Sequence, residues 1–498
     1  MILRFALVLL MGLCSLPARD FWVVAYNVEN LFDADGVSTY DDYSPEKYST
    51  RHLLTKLRNA ATVLSRTSGK RGPDVLVLNE IELDQTPSNR SAADWLALAK
   101  AKSLAELLPK DDPDPQFIDA PAEFWLAKAL EEAGLGSYHI VVPDEKPGLH
   151  EDGRPRSVKN IIFSRFPVRE SRTHPTTDAR AILEATLDVE GQPLSIFANH
   201  WKSGAGDEDN ERIRIENATT LRKRLDAIFY KHPLADVIVA GDLNCHYNQS
   251  ERYPHFRRTA IGDILKAEGA KSSLKDGSTD LYNLWFELPP ESRGSDVYRD
   301  QWGTLIHLIG SRGLFEQGGI SIVPGTFGAV VIRGLNADYL DRPVRWSKGR
   351  NPAGYSDHFP VQVRLRTGPS GGPPRWLDLS KPNFSKPSDP VRRVSEVEVA
   401  QRARSNAPLL TSPAFDPAAH QGEVFLVEAP AQVGDEGYIS ISTGPRTFDV
   451  FSHTKSIRDA LRNQARSTGR LSFIGELGEF KNRLQFVVHR PDWINPKN

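Results

Sequence analysis

Cysteine is nearly missing from this chain: its 498 residues contain two, Cys14 and Cys245. Cys14 lies in an N-terminal stretch that reads as removable, which would leave Cys245 alone. No internal disulfide is then possible, and the core must hold the fold by itself. An excess of one charge sign is missing as well. Lys and Arg number 62 and Asp and Glu 64, a formal net charge of −2. No global basic field advertises nucleic acid, so any such site must be local. Long apolar runs are also scarce. One, Phe5 to Leu13, opens the chain after Arg4 and runs into Ser15-Leu16-Pro17-Ala18. It is too short for a comfortable membrane span, and the positive start and small residues predict a secretory signal over 1–19, cleaved near Ala18. The mature protein is therefore expected to be secreted or periplasmic. Cys14 lacks the small preceding residue that a lipid-anchoring cleavage site prefers.

What is present is a sizeable core. Apolar residues make up 39% and charged residues 25% of the chain, as in soluble globular proteins. The length predicts two domains and a linker. Short apolar runs, each ending in polar residues, mark buried strands: Phe21 to Tyr26, Val75 to Leu78, Ile161 to Phe163, Leu194 to Ala198 and Val237 to Ala240. Helical spacing over His52 to Arg66 and about Glu211 to Tyr230 makes this a layered α/β pattern. Residues 84–136 read as an inserted helical region, with one helix around Trp95 to Leu108 and another over Phe124 to Glu132. The first domain is expected over 20–366 and a Pro/Gly/Ser-rich linker over 367–393. Residues 394–498 read as five short strands with a helix, about Ser456 to Ser467, between the third and fourth, a small barrel of the OB type.

The chemistry gathers at strand ends. Asn27 and Glu29, Glu80, His200, Asp242 and Asn244 follow apolar runs, and Asp357 and His358 precede one. Residues leaving neighbouring strand ends converge on one rim. Several carboxylates there would repel one another without a cation, and oxygen ligands of this kind suit Mg²⁺, Mn²⁺ or Ca²⁺ rather than zinc. Such a cation with carboxylates and imidazoles makes a phosphoester hydrolysis kit. Cys245 adjoins the site and reads as a packed thiol rather than a nucleophile.

Five motifs occur in a family order: Tyr26-Asn27-Val28-Glu29-Asn30-Leu31-Phe32, Leu78-Asn79-Glu80, Asn199-His200-Trp201-Lys202-Ser203, Gly241-Asp242-Leu243-Asn244 and Ser356-Asp357-His358-Phe359-Pro360. Over Phe21 to Arg366 the chain resembles the endonuclease/exonuclease/phosphatase (DNase I-like) superfamily, in particular its secreted bacterial nuclease branch. The resemblance implies a four-layer α/β sandwich with two sheets face to face. It implies Glu80 as principal metal ligand, assisted by Asn27, Glu29 and Asp357, with His200 and His358 facing the phosphate. Asp242 would orient or activate water, and Asn244 would position the water or the phosphate. One departure stands out. The family's aspartate before the final Ser-Asp-His aligns with Ile306, so that either another acid such as Asp338 supports His358 or His358 lacks its partner.

The second domain resembles nucleic-acid-binding OB modules, best over Gly469 to Val488. From Pro445 to Asn498 there are ten Lys or Arg against five Asp or Glu. Arg458, Arg462 and Arg466 share one helical face and read either as phosphate contacts or as a solvated surface. The combined expectation is an exported metal-dependent phosphodiesterase acting on DNA or RNA, with the barrel as a tethered substrate holder. Deleting the barrel should then weaken binding and spare saturated turnover. The alternatives are a phospholipid or phosphomonoester hydrolase of the same fold, or a binding protein with a degenerate site.

Overall fold

The computed structural model describes residues 18–109, 113–269, 271–277, 280–368, 373–379, 391–444 and 446–496. The expected signal stretch up to residue 17, residues 110–112 of the inserted region, and 369–372 and 380–390 of the linker lie outside the described residues.

The first domain is built on strands β1 (Asp20–Leu31), β2 (Val75–Glu82), β3 (Val158–Ser164), β4 (Gln192–His200), β5 (Val237–Asp242), β6 (Ile306–Ser311) and β7 (Val361–Thr367). In one seven-stranded sheet β1 lies parallel to β2, flanked by antiparallel β7 and β3. In the other seven-stranded sheet β4 lies parallel to β5, flanked by antiparallel β6 and by Ile182–Val189. The sheets are thus mixed rather than parallel throughout. Each contributes one long parallel pair (the second sheet also pairs Ala267–Glu268 with Leu281–Asn283 in parallel), and the C-terminal ends of the two long pairs face each other.

Alternation along β1 explains the layering. Phe21, Val23 and Ala25 enter a core shared with Ile196, Ala198, Ile238 and Ala240 of the opposing sheet. Val24, Tyr26 and Val28 point the other way, onto Leu53 and Leu57 of helix Thr50–Ser65 and Trp125 of helix Ala122–Glu132. Period two places successive side chains on opposite faces, so a strand covered on both sides must be apolar throughout. Helix Glu208–Lys231 covers the far face of the second sheet through Ala218, Leu221 and Leu225. Helices, sheet, sheet and helices make the expected four-layer sandwich.

The inserted region differs from expectation. The helix expected around Trp95 to Leu108 is two, Ala92–Leu98 and Leu104–Leu107. Ser103 caps the second and Glu106 returns a bond to the Ser103 backbone N–H, a capping box that restarts the helix rather than continuing it.

The second domain is a closed five-stranded barrel of β8 (Val424–Val433), β9 (Ile439–Thr443), β10 (Arg446–Phe451), β11 (Arg470–Phe480) and β12 (Arg483–Val487), in the order β8-β9-β10-β12-β11. β10 and β12 pair in parallel and the rest antiparallel. Helix Lys455–Thr468 lies between the third and fourth strands as expected. Helix Glu396–Asn406, which the sequence reading did not include, packs Val399 and Ala403 into the barrel's core cluster.

The linker is not free where it is described. Leu377 N–H donates to the Phe315 carbonyl (2.9 Å), and Arg312 lies over the Trp376 ring. Among the described residues no helix is long and apolar enough to cross a membrane.

Candidate active site

The site lies where the two parallel pairs end. Asn27 leaves β1, Glu80 lies near the end of β2, His200 ends β4 and Asp242 ends β5. Gly241, with φ +115°, permits the last bend, and a Cβ there would fall 2.2 Å from the Asn199 carbonyl oxygen. No other residue fits that position. Glu80 (φ +63°), Asn244 (φ +50°), Glu29 (φ +53°) and Asn30 (φ +62°) all occupy the left-handed region. Glu80 falls within a register shift between β2 and β3 that turns its side chain out of the ladder. These are four of the fifteen non-glycine residues with positive φ among the described residues, and here the turned backbone aims polar side chains at one rim.

A buried amide network ties the two facing sheets together at this rim. Asn79 Nδ2 donates to Asn160 Oδ1 (2.7 Å) and to the Asn199 carbonyl (2.9 Å), and its Oδ1 accepts the Asp242 N–H (2.9 Å). Asn160 in turn donates to the Ala181 carbonyl (2.9 Å). Asn79 and Asn160 are fully buried, so each unmade bond would carry the full desolvation cost.

The reactive groups follow from this frame. Asn27 Nδ2 donates to Glu80 Oε1 (2.9 Å) and Asp242 Oδ2 (3.0 Å), while its Oδ1 accepts the Glu29 N–H (2.9 Å). Asn27 therefore meets the acids with its nitrogen, where the resemblance implies an oxygen turned to a cation. His200 Nε2 lies 3.8 Å from both Glu80 Oε1 and Asp242 Oδ2. His358 Nε2 lies 3.7 Å from Asp242 Oδ2 and 3.6 Å from Asp357 Oδ1. Ser356 Oγ ties this segment to β1, donating to the Asn27 carbonyl (2.7 Å) and accepting the His358 N–H (3.1 Å). Asn244 N–H donates to Asp242 Oδ1 (2.9 Å), and Asn244 Nδ2 donates to the Trp201 carbonyl (3.1 Å).

Glu29 and Asp357 sit at the outer edge. Glu29 Oε1 accepts from Arg345 (3.0 Å) and its Oε2 from the Trp346 N–H (2.7 Å), and Arg345 also reaches Asp357 Oδ2 (3.3 Å). Both Glu29 oxygens are thus engaged by the protein. Among the described residues Glu80, His200 and Asp242 each offer a ligand-capable atom, and these atoms lie within 4.8 Å of one another.

The electrostatics split the two histidines. Burial, Arg180 and His358 hold His200 well below the usual imidazole range, so it is neutral. Burial also works against protonation of His358, but Asp357, Asp242, Asp296 and Glu80 outweigh it and raise His358 to about 9. Burial raises Asp242 to about 6 against the pull of His358 and Asn27. Burial, then the Asp357 charge, raises Glu80 and Glu29. One protonated and one neutral imidazole beside strained acids is an acid–base division of labour. The raised acids are also those that a divalent cation would relieve, so the residues present fit one.

Ile306 leaves the acid's place empty, and the one acid outside the motifs whose charge acts on His358, among the described residues, is Asp296. Ile306 is buried in the core between the sheets, and Asp338 is spent on Arg342 Nε (2.8 Å) and the Leu340 N–H (2.9 Å). Asp296 forms an isolated strand bridge with His358 and acts on it by charge, its Oδ1 accepting the Leu305 N–H (3.1 Å), while His358 Nδ1 has no hydrogen-bond partner among the described residues. Sequence reading missed Asp296 because it leaves a short hairpin rather than a long strand, and no motif surrounds it. In metal-free protein labelled at histidine carbons, the His358 imidazole is expected to titrate near pH 9 by NMR. Asp296→Asn should move that midpoint down, because the raised pKa rests on carboxylate charge. An unmoved midpoint would remove Asp296 from this role.

Cys245 is buried beneath the site and burial pushes its thiol up, as a packed residue rather than a nucleophile. The barrel's arginine stripe is also structural in part. Arg458 donates to the carbonyls of Ser452 (2.6 Å) and His453 (2.9 Å), and Arg462 to that of Gly437 (2.8 Å).

No curated protein matches the chain. Among solved structures it is similar to TDP2 from C. elegans, at 13% identity, 70% of this chain, 75% of that one and a TM-score of 0.35. It is similar to an endonuclease/exonuclease/phosphatase family protein from Bacteroides thetaiotaomicron, at 13%, 70%, 96% and 0.37. A third is the human Nocturnin catalytic domain with bound sulfate, at 14%, 70%, 93% and 0.36. In sequence, residues 155–367, less than half of the chain, match the family model described as "Endonuclease/Exonuclease/phosphatase family". The three activities in that description all hydrolyse phosphoester bonds, and the matched stretch of this chain, which is similar to that family, carries His200, Asp242, Asn244, Asp357 and His358, while Asn27, Glu29 and Glu80 lie before it.

Proposed function

We propose that this chain is an exported, metal-dependent phosphodiesterase that hydrolyses phosphodiester bonds of nucleic acid. The observation that carries this reading is the convergence of Glu80, His200 and Asp242 within 4.8 Å, beside a His358 raised to about 9. Glu80 and Asp242, with His200 beside them, would hold Mg²⁺, Mn²⁺ or Ca²⁺. A bound cation of this kind polarises a phosphoryl oxygen and neutralises developing charge. Asp242, ionised above about pH 6, orients and deprotonates the attacking water. His358, protonated at neutral pH, donates a hydrogen bond to the phosphate or a proton to the leaving oxygen. Asn244 has its backbone N–H on Asp242 and its side chain pinned to Trp201, which sets its carboxamide beside the same space.

The barrel supplies a second contact to the substrate. Tyr438 and Phe480 are exposed (68% and 60%) beside the turns joining β8 to β9 and β11 to β12, and exposed rings there suit base stacking. Export rests on the character of residues 1–19 and is checked by N-terminal sequencing of protein recovered outside the cytoplasm.

The activity is tested on supercoiled plasmid with Mg²⁺ or Mn²⁺, beside EDTA and His358→Ala controls. Metal-dependent nicking that disappears in both controls is expected. Failure to cut plasmid, linear duplex or single strands, together with release of phosphate from monoesters or of headgroups from phospholipid, would overturn the nuclease reading.

A further inference from the structure

A cavity of about 660 Å³ opens from His358 and Asn244 on the side away from Arg180. Its size falls in the range that encloses a small organic ligand. One wall is the Gly204-Ala205-Gly206 turn. Arg214 donates to the carbonyls of Gly204 (3.2 Å) and Ala205 (3.1 Å), and Gln249 donates to that of Ala205 (2.7 Å), which fixes the turn. Gly206 lies flat against Tyr253: a Cβ there would approach ring atom Cε1 to 2.9 Å. The opposite wall is the hairpin of Asp296–Tyr298 and Gln301–Gly303. It turns through Arg299 (φ +48°) and Asp300 (φ +58°), a tight left-handed turn of the kind that closes two-residue hairpins. The segment beyond the linker braces it, since Trp302 N–H donates to the Arg392 carbonyl (2.9 Å) and Val394 N–H to that of Asp300 (3.2 Å).

Two features of this cavity are unexplained by packing. Tyr298 is 69% exposed at its rim, with the Arg299 guanidinium 5.1 Å from its ring centroid. Arg252 lines the cavity and donates to the Trp302 carbonyl (3.0 Å). It makes no ion pair with a carboxylate among the described residues. Asp207, Asp296 and Asp357 also line the cavity and Asp296 acts on the half-buried Arg252 by charge, but none pairs with it directly, so its guanidinium keeps donors for a phosphate oxygen.

We propose that this cavity takes one nucleotide unit of a single-stranded nucleic acid, its base on the rings of Tyr298 and Tyr253 and a flanking phosphate on Arg252. The proposal rests on the phosphodiesterase reading above and names its substrate class. Stacking needs an exposed base face, which a paired duplex keeps inside its own stack. The arginine would read the backbone and the tyrosines any base, so binding would be tolerant of sequence.

The test compares a single-stranded oligothymidylate, the same length of abasic sugar-phosphate chain, and a blunt duplex, all with the full-length protein and Mg²⁺. Wild type is expected to cut the oligothymidylate with the highest kcat/KM. Tyr298→Ala should lower kcat/KM on it by about tenfold and leave the abasic chain unaffected, and Tyr298→Trp should restore the oligothymidylate value. Equal losses on both chains, no loss on either, or a preference for the duplex would each overturn the pocket alone. Wild-type protein that cleaves none of the three would overturn the phosphodiesterase reading itself.

Discussion

Asp242→Asn is expected to lower kcat on a phosphodiester substrate by about 10³–10⁴-fold while making the metal-free protein more stable at pH 7.5. Both effects come from one carboxylate. Its Oδ1 accepts the Asn244 N–H, its Oδ2 accepts Asn27 Nδ2, and both histidines hold Nε2 within 3.8 Å of Oδ2. An amide there keeps the shape, but it cannot take a proton from water, and it removes one of the charges that raise His358. The stability effect follows from the sign of the pKa shift. Asp242 is raised to about 6 by burial, so the folded state binds its proton more tightly than the unfolded chain. Folding stability from this group is therefore present below the ordinary carboxylate range and lost as pH rises through about 6. At pH 7.5 the ionised form costs on the order of 3 kcal/mol. The thermal midpoint of Asp242→Asn in EDTA should then exceed that of wild type at pH 7.5 and match it near pH 4. Millimolar Mg²⁺ should narrow the gap, because binding stabilises wild type by mass action. A variant that is equally active, or less stable at both pH values, would remove Asp242 from the centre of the site.

Such a group is readable in sequence because it is local. Val237 to Ala240 reads as a strand covered on both faces and Gly241 permits a bend, which sets Asp242 and Asn244 at a strand end from the sequence alone. The barrel was legible for the same reason: short alternating strands and one interrupting helix. What could not be read is what depends on pairing across distance. Asn160 looks like a polar interruption of β3, and its function appears only when Asn79, far off in sequence, donates to it. Asp296 and His358 meet through a strand bridge that no spacing announces. Ile306 is packing, and His358 receives carboxylate charge from Asp296 on another element while its Nδ1 has no hydrogen-bond partner among the described residues. Composition misled at the linker. Gly, Pro and Ser suggest a free tether, yet Leu377 and Arg392 both hydrogen-bond to the first domain.

That last difference changes what removing the barrel should do. The loop from Val330 to Trp346 has its tip in one domain and its root in the other. At the tip, Leu340 belongs to the barrel's core cluster, and Tyr339 stacks on His489 at 4.6 Å and meets Trp493 edge-on at 5.0 Å. Asp341 accepts from Arg402 (2.6 Å), and Arg333 reaches Glu423 across the boundary (2.7 Å). The backbones touch as well, since a Cβ on Gly422 would come 1.9 Å from the Gly334 nitrogen. At the root, Val344 accepts the Tyr355 N–H (2.8 Å), and Arg345 and Trp346 hold Glu29 and Asp357. Cutting the chain after Gly368 frees the tip, exposes Tyr339 and Leu340, and also takes away the strand-like brace on the Tyr298 hairpin. Displacing catalytic groups by about 1 Å can cost about 100-fold in rate. The truncated protein is therefore expected to lose about 10–100-fold in kcat at saturating substrate, together with affinity. Tyr339→Ala in the full chain should reproduce part of the kcat loss while leaving the barrel in place. If truncation instead raised KM and spared kcat, and Tyr339→Ala were silent, the barrel would be the tethered substrate holder its sequence suggests, and the loop's two attachments would be mechanically independent.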